Sequence, residues 1–298
     1  DQIKPVVDRI QPHIIFLLYD IPFQVPYMKI LRESAPNARI VLYSPVEAGP
    51  ISPEMMEHLQ GVSRYVMYTE YGRREIAKAL AIVRERLPDF QFPELQVIPH
   101  GVDCEAFFPL TVTSDTLSSG GIEERRIIAR RSLGFQDAEH VESFIVLNAN
   151  RNMPRKRIDL TMQGFARFAE NKARNVKLYL HMATEYTGWN VLILAKRYGI
   201  YDRLIMTQVD NTRPRFPDAK MNVLYNACDV GLTTTTGEGW GMVSFEHAAT
   251  RAAQVIPRHT SLADLWSGAA EFVDPVMTLT NAGNLTDAYI VTPEGVAS

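Results

Sequence analysis

Apolar positions along this chain follow two alternating rhythms. Short runs rich in apolar and β-branched residues cover 13–18, 39–43, 63–68 and 95–98, and each reads as a strand. Between them lie longer stretches with helical spacing. In 71–86, Ile76, Leu80 and Val83 recur at steps of four and three, which makes one apolar face. The alternation resumes further on. Strands are predicted at 144–147, 176–180, 203–207, 230–233 and 254–256, and helices at 158–169, 189–198, 222–227 and 242–252. In helix 158–169, Ile158, Met162, Phe165 and Phe168 share one side. Strand–helix alternation of this kind predicts an α/β fold with parallel sheets, built as two Rossmann-like units in tandem. Asp1 already stands inside a helical pattern.

The stretch 111–121 interrupts the pattern. It is rich in Ser, Thr and Gly and has no period, so it reads as a linker. The predicted domains are therefore 1–112 and 113–298. A helix follows at 123–133, and its Arg125, Arg126, Arg130 and Arg131 lie beside two glutamates. They are expected to form a solvated face rather than a phosphate patch.

Composition agrees with two ordinary domains in 298 residues. Hydrophobic residues at 46% and charged residues at 22% exclude a disordered, collagen-like or coiled-coil chain. A formal charge of -3 argues against a general nucleic-acid binder. Cys104 and Cys228 cannot build a disulfide framework and lack CxxC partners, so both are expected to be small buried hydrophobes. The apolar run 13–19 is far below the roughly 20 residues a membrane-spanning helix needs. No signal-peptide pattern opens the chain, and the expected location is the cytoplasm.

Sheets of this class bind ligands beyond the carboxyl ends of their strands, so the turns after strands are the places to search. The turn 148–159 gathers Arg151, Arg155, Lys156 and Arg157 at the start of a helix. A helix N-terminus already carries partial positive charge, so added cations make sense there only with an anion between them. Arg151 and Lys156 are the leading candidates. The turn 233–246 holds Gly237, Gly239 and Gly241, which let the backbone approach a ligand closely, and two carboxylates, Glu238 and Glu246. Its glycines do not match the dinucleotide fingerprint. Carboxylate oxygens in this position can accept hydrogen bonds from sugar hydroxyls. A third turn, 97–109, contains His100, expected to be structural, and Phe107 and Phe108, which must pack. His181, His247 and His259 are also expected to be structural, and the sequon at Asn284 to be chance.

Four motifs stand in one order: the turn Ile98 to Asp103 with Phe107, Phe108 and Pro109; Arg151 with Arg155 and Lys156; the stretch Leu224, Tyr225, Asn226, Ala227, Cys228 and Asp229; and Glu238 with Glu246. This set resembles the retaining glycosyltransferases of the GT-B fold, of the family 4 (group 1) type, over nearly the whole chain. The resemblance implies two Rossmann-like domains facing each other across a cleft. A nucleotide-diphosphate sugar, UDP- or GDP-linked, is expected on the C-terminal domain and the acceptor on the N-terminal one. It implies a hexosyltransferase that needs no metal and no cofactor. Arg151 and Lys156 match the diphosphate-binding pair, Glu238 the acid near the sugar ring, and Glu246 the residue that holds the nucleotide ribose. The backbone of Gly239, Trp240 and Gly241 would lie against the donor.

Some features depart from the family. The opening Gly-rich loop has no counterpart. Where family members often carry a His after the first of these strands, this chain has Leu18, Tyr19 and Asp20. Thr250 and Arg251 replace a small pair. The portion before the linker is short for a first domain, so the N-terminal domain is expected to be incomplete at its start, and the closing helices are expected to be missing. Two alternatives stay open: a non-catalytic GT-B-like module that binds a nucleotide sugar, and another GT-B enzyme such as a sugar-nucleotide epimerase. The acceptor is left open among glycan, lipid and small molecule, as are membrane contact and oligomeric state. No nucleic-acid partner is expected.

Overall fold

A computed structural model of the chain describes residues 3–111 and 119–298. The first part runs α1 (Ile3–Ile10), β1 (Ile14–Leu18), α2 (Ile21–Ser34), β2 (Arg39–Ser44), β3 (Arg64–Met67), α3 (Glu70–Arg86) and β4 (Glu94–Val97). Its strands form one parallel sheet in the order β1-β2-β3-β4. Helix α3 shows why the predicted pattern folds as it does. The Thr69 side chain accepts a hydrogen bond from the Gly72 amide at 3.1 Å, Glu70 opens the first turn, and Arg84 and Arg86 close the last, each matching the helix dipole. Its buried face of Ile76, Ala79, Leu80 and Val83 packs into a core with Met28, Leu42 and Met67.

The second part runs α4 (Ser119–Ser132), α5 (Ala138–Val141), β5 (Phe144–Asn148), α6 (Ile158–Phe168), β6 (Val176–Leu180), α7 (Val191–Arg197), β7 (Leu204–Met206), α8 (Asp218–Ala227), β8 (Val230–Leu232), α9 (Met242–Ala249), β9 (Ala253–Pro257), α10 (Thr260–Leu265) and β10 (Glu271–Val273). Six parallel strands take the order β10-β9-β8-β5-β6-β7. An antiparallel hairpin of β11 (Met277–Thr280) and β12 (Asp287–Ile290) follows, then α11 (Pro293–Ala297). The segment 107–110 is fastened to α8 by two asparagines. Asn222 Oδ1 accepts from the Phe108 amide and Asn226 Oδ1 from the Leu110 amide, both at 3.0 Å. Phe107 packs edge-on against Tyr225, which gives a physical reason for those two sequence motifs to occur together.

Two expectations need correction. The arginines of α4 are not a solvated face. Arg130 is 1% exposed and pairs with Asp229 at 2.7 Å, and Arg126, one helical turn earlier, pairs with the other Asp229 oxygen at 3.0 Å. Arg125 is buried as well, and only Arg131 faces solvent. Asp229 also accepts the Ile145 amide at 2.6 Å, so this cluster ties α4 to β5 and β8. Cys104 is exposed, whereas Cys228 is buried as expected. The predicted domain boundary and most of the linker fall at 112–118, outside the described residues, and from Ser119 the chain is already helical. Among the described residues, no helix is long and apolar enough to cross a membrane.

Candidate functional site

Strand order decides where this fold can hold a ligand. From β5 the chain moves by way of α6 to β6 on one side, while β8 lies on the other side of β5. The connections leaving β5 and β8 therefore diverge and open a crevice at their carboxyl ends. The turns 149–157 and 233–241 flank it, and these are the two turns that the sequence singles out.

A polar lattice joins the two turns. Thr161 Oγ1 meets Thr234 Oγ1 at 2.7 Å and accepts from Asn148 Nδ2 at 2.9 Å. Thr234 Oγ1 donates to the Arg157 carbonyl at 2.8 Å, and the Thr236 amide donates to the Arg155 carbonyl at 2.8 Å. His259 Nε2 donates to the Thr235 carbonyl at 2.9 Å while its ring stacks on Tyr289. Burial pushes the His259 imidazole down to about 4, so it serves as a neutral donor. Arg157 takes a left-handed φ of 46° at the start of α6, and Thr260 does the same at the start of α10. Strained backbone thus brackets the crevice on both sides.

Four charged side chains meet there. Lys156, 7% exposed, makes a short ion pair with Glu238. Arg155 reaches the same carboxylate at 3.4 Å, the Gly237 carbonyl at 3.2 Å, and Glu47 of the first part at 2.7 Å. Burial would raise the Glu238 carboxyl, but Lys156 and Arg155 outweigh it and hold it below its ordinary range. Burial pushes the Lys156 ammonium down against the pull of Glu238. The pair stays charged, with Lys156 just ahead of α6 and Glu238 against Gly241 at the start of α9. Gly241, at φ 91°, lets the chain enter α9 in a left-handed conformation. Preorganised cations and free amides at one point suit an anion, and they are worth most where negative charge develops during a reaction.

The remaining predicted site residues fall around this centre. Arg151 is exposed and makes no ion pair among the described residues. Glu246 lies in the second turn of α9, half-buried, and accepts the Tyr225 hydroxyl at 2.6 Å. Burial raises its carboxyl, and the Tyr225 hydrogen bond opposes that. Trp240 is buried, stacked on Phe245, with its edge toward His100, which in turn stacks on Tyr68. Gly237 and Gly239 do permit a close approach, but in the structure it is to the first part of the chain. A Cβ on Gly237 would stand 2.7 Å from the Glu47 carbonyl, and one on Gly239 2.8 Å from Pro45.

These contacts bring the two sheets together as facing units. Thr69 Oγ1 meets Ser261 Oγ at 2.9 Å, Arg74 pairs with Asp264 at 2.9 Å, and the Asp287 amide donates to the Gly49 carbonyl at 2.6 Å. A cavity of about 530 Å³ remains between them, walled by Asp20, Phe23, Glu47 and Arg155 and by the loop of the β11–β12 hairpin. Among the described residues, no group of three or more His, Cys, Asp or Glu is placed to hold a metal ion.

Sequence reasoning missed Glu47 and gave no separate role to Arg155 or Tyr225, which it names only within motifs. Glu47 follows β2 without any motif around it. Arg155 is one of four adjacent cations, and spacing alone does not single it out. Tyr225 lies inside a quoted motif, but its hydroxyl finds Glu246 only through the packing of α8 against α9.

No family model matches the sequence, and no curated protein matches it. Solved structures do match in fold. The N-terminal domain of Candida albicans trehalose-6-phosphate phosphatase superposes with a TM-score of 0.65 at 16% identity, over 99% of this chain and 63% of that one. Sucrose-phosphate synthase of Thermosynechococcus elongatus gives 0.65 at 14% identity, over 92% and 64%. Anabaena HepE, solved in complex with UDP, gives 0.64 at 14% identity, over 99% and 69%. The chain thus spans about two thirds of the length of these proteins. The architecture is the expected GT-B arrangement, two Rossmann-like α/β units facing across a cleft.

Proposed function

We propose that this chain moves a hexosyl group from a UDP- or GDP-linked sugar to an acceptor hydroxyl, with retention of anomeric configuration. The observation that carries the reading is the Lys156–Glu238 pair, with Arg155 beside it, at the crevice where β5 and β8 diverge. Similarity in fold to sucrose-phosphate synthase and to a protein solved with UDP supports a nucleotide-sugar donor.

In this reading the donor diphosphate takes the place that Glu238 occupies on Lys156, and Arg151 swings in from solvent. Glu238, displaced, faces the sugar ring. The bond from the anomeric carbon to the diphosphate oxygen breaks, and the acceptor oxygen bonds to that carbon from the same face. The acceptor proton passes to the departing diphosphate, so no side-chain nucleophile is needed. Negative charge grows on the diphosphate as the bond breaks, and fixed cations with two helix N-termini stabilise it without reorganising. These cations fill the role of a metal, so chelators should leave the rate unchanged. Glu246, held by Tyr225, receives the ribose hydroxyls, and the backbone of Gly239, Trp240 and Gly241 runs along the donor. Closure of the two units excludes water and so suppresses donor hydrolysis.

The test is nucleotide release from a panel of UDP- and GDP-sugars, with and without candidate acceptors, followed by NMR assignment of the product anomer. Release with a retained anomer supports the reading. Inversion overturns retention. Binding of nucleotide sugar without any turnover makes the chain a binding module.

A further inference from the structure

The cavity between the units has a chemistry of its own. Among the described residues, the charged groups on its wall are Asp20, Glu47, Asp287 and Arg155. The one guanidinium is already engaged, by Glu47 at 2.7 Å, by Glu238 at 3.4 Å and by the Gly237 carbonyl at 3.2 Å. Burial raises the Glu47 carboxyl, Arg155 and Lys156 oppose that, and Glu238 and, least, Asp20 add like-charge pushes. Carboxylates on the described wall thus outnumber its one cation by three to one. The rest of the wall mixes apolar surface, with Phe23 54% exposed, and hydrogen-bonding groups of the hairpin loop. That loop is fixed by its own bonds. The Asn281 amide donates to the Thr286 carbonyl at 2.8 Å, and Asn284 Oδ1 accepts Thr286 Oγ1 at 2.9 Å. The Asp287 amide then pins the hairpin to Gly49.

We infer that this cavity takes an uncharged saccharide as acceptor and rejects a phosphorylated one. The inference rests on the glycosyl-transfer reading and narrows it to an acceptor class. Carboxylate oxygens accept hydrogen bonds from hydroxyl groups, and an exposed aromatic ring offers a face to sugar C–H groups. A phosphate here would meet three carboxylates and, among the described wall residues, no unengaged cation. A volume of about 530 Å³ lies within the range of pockets that bury most of a small ligand.

Saturation-transfer NMR with UDP present tests this directly, using maltotriose and glucose 6-phosphate as probes on the intact chain. Wild-type protein should transfer saturation to maltotriose and at least tenfold less to glucose 6-phosphate. Asp20→Lys should raise the glucose 6-phosphate signal at least tenfold relative to maltotriose. Asp20 caps α2 without a side-chain hydrogen bond, so this substitution removes no capping bond, and Asp20→Asn, which adds no cation against the helix dipole, should shift the preference in the same direction by a smaller factor. Glucose 6-phosphate binding as well as maltotriose in the wild type overturns the inference. So does silence from both sugars, or an Asp20→Lys variant with unchanged preference. Calorimetry with UDP and GDP alone reports on the donor reading separately. If nucleotide binds while the acceptor result fails, only the acceptor inference falls.

Discussion

The two sheets of this molecule are built from the same strand–helix unit, yet they differ in what their order allows. In the first, the strands run β1-β2-β3-β4, so every crossover steps the same way and no crevice opens between diverging connections. In the second, the chain goes from β5 to β6 and β7, then returns to place β8 on the other side of β5. Buried polar chemistry follows that difference. Lys156, Asn148, Asn150, Thr233 to Thr236 and His259 are all buried around the second sheet's crevice. The first unit buries fewer polar groups, Gln24, Ser44, His58, Thr69 and Glu75, and it contributes loops to the site: Asp20, the stretch 45–48 and His100. Topology therefore predicts a division of labour, with charge stabilisation on the second unit and acceptor selection on the first.

The strongest way to break this comparison is at the ion pair. Lys156→Ala should lower kcat/KM about 10³-fold, since one fixed charge at the leaving group is removed. It also leaves the buried Glu238 with only its longer Arg155 contact, at a stability loss of up to about 3 kcal/mol. Lys156→Met combined with Glu238→Gln should recover most of the thermal stability without recovering activity, which separates folding from chemistry. Retained activity in Lys156→Ala would remove the second unit from the reaction.

Acid sharpens the comparison next. His181, His247 and His259 of the second unit and His58 of the first are each pushed by burial to about 4. Between about 4 and 6.5 the unfolded chain binds protons that the folded chain refuses, so stability falls as pH falls through that window. At pH 5 each such His lowers stability by about 2 kcal/mol relative to pH 8. With three of the four in the second unit, calorimetric scans should show that unit melting first, with Tm lower by about 12–24 °C at pH 5. A first unit that melts earlier would contradict the assignment.

Smaller effects follow. Tyr225→Phe removes the hydroxyl bonded to Glu246 and should raise the donor KM about tenfold, worth about 1.4 kcal/mol, while kcat changes little. Arg74→Ala removes an exposed pair with Asp264 between the units. It should cost less than about 1 kcal/mol and leave nucleotide affinity unchanged.

Much of this was legible from periodicity. Strand 176–180 and the start of α6 at Ile158 fall where the apolar pattern puts them, because each buries a face dictated by local sequence. The two chemical turns were legible because cations at a helix start and glycines after a strand are costly unless used. What stayed hidden depends on long-range partners. The arginines of α4 look like any solvated row until Asp229, about a hundred residues away, is brought beneath them. Glu47 gains meaning only when Arg155 crosses the cleft to it. The β11–β12 hairpin has short strands, β11 exposed and β12 largely half-buried, and its register follows from docking of β12 against Gly49 and Thr236 rather than from alternation.

In the proposed reading, the crevice between β5 and β8 holds a nucleotide diphosphate through Lys156. Calorimetric titration of UDP and GDP into wild type and into the folded Lys156→Met, Glu238→Gln variant measures this most directly. One of the two nucleotides should bind the wild type, and the variant should lose about 100-fold in affinity, consistent with the loss of a charge-assisted contact of about 2.7 kcal/mol. Equal affinity in the two proteins would contradict the claim.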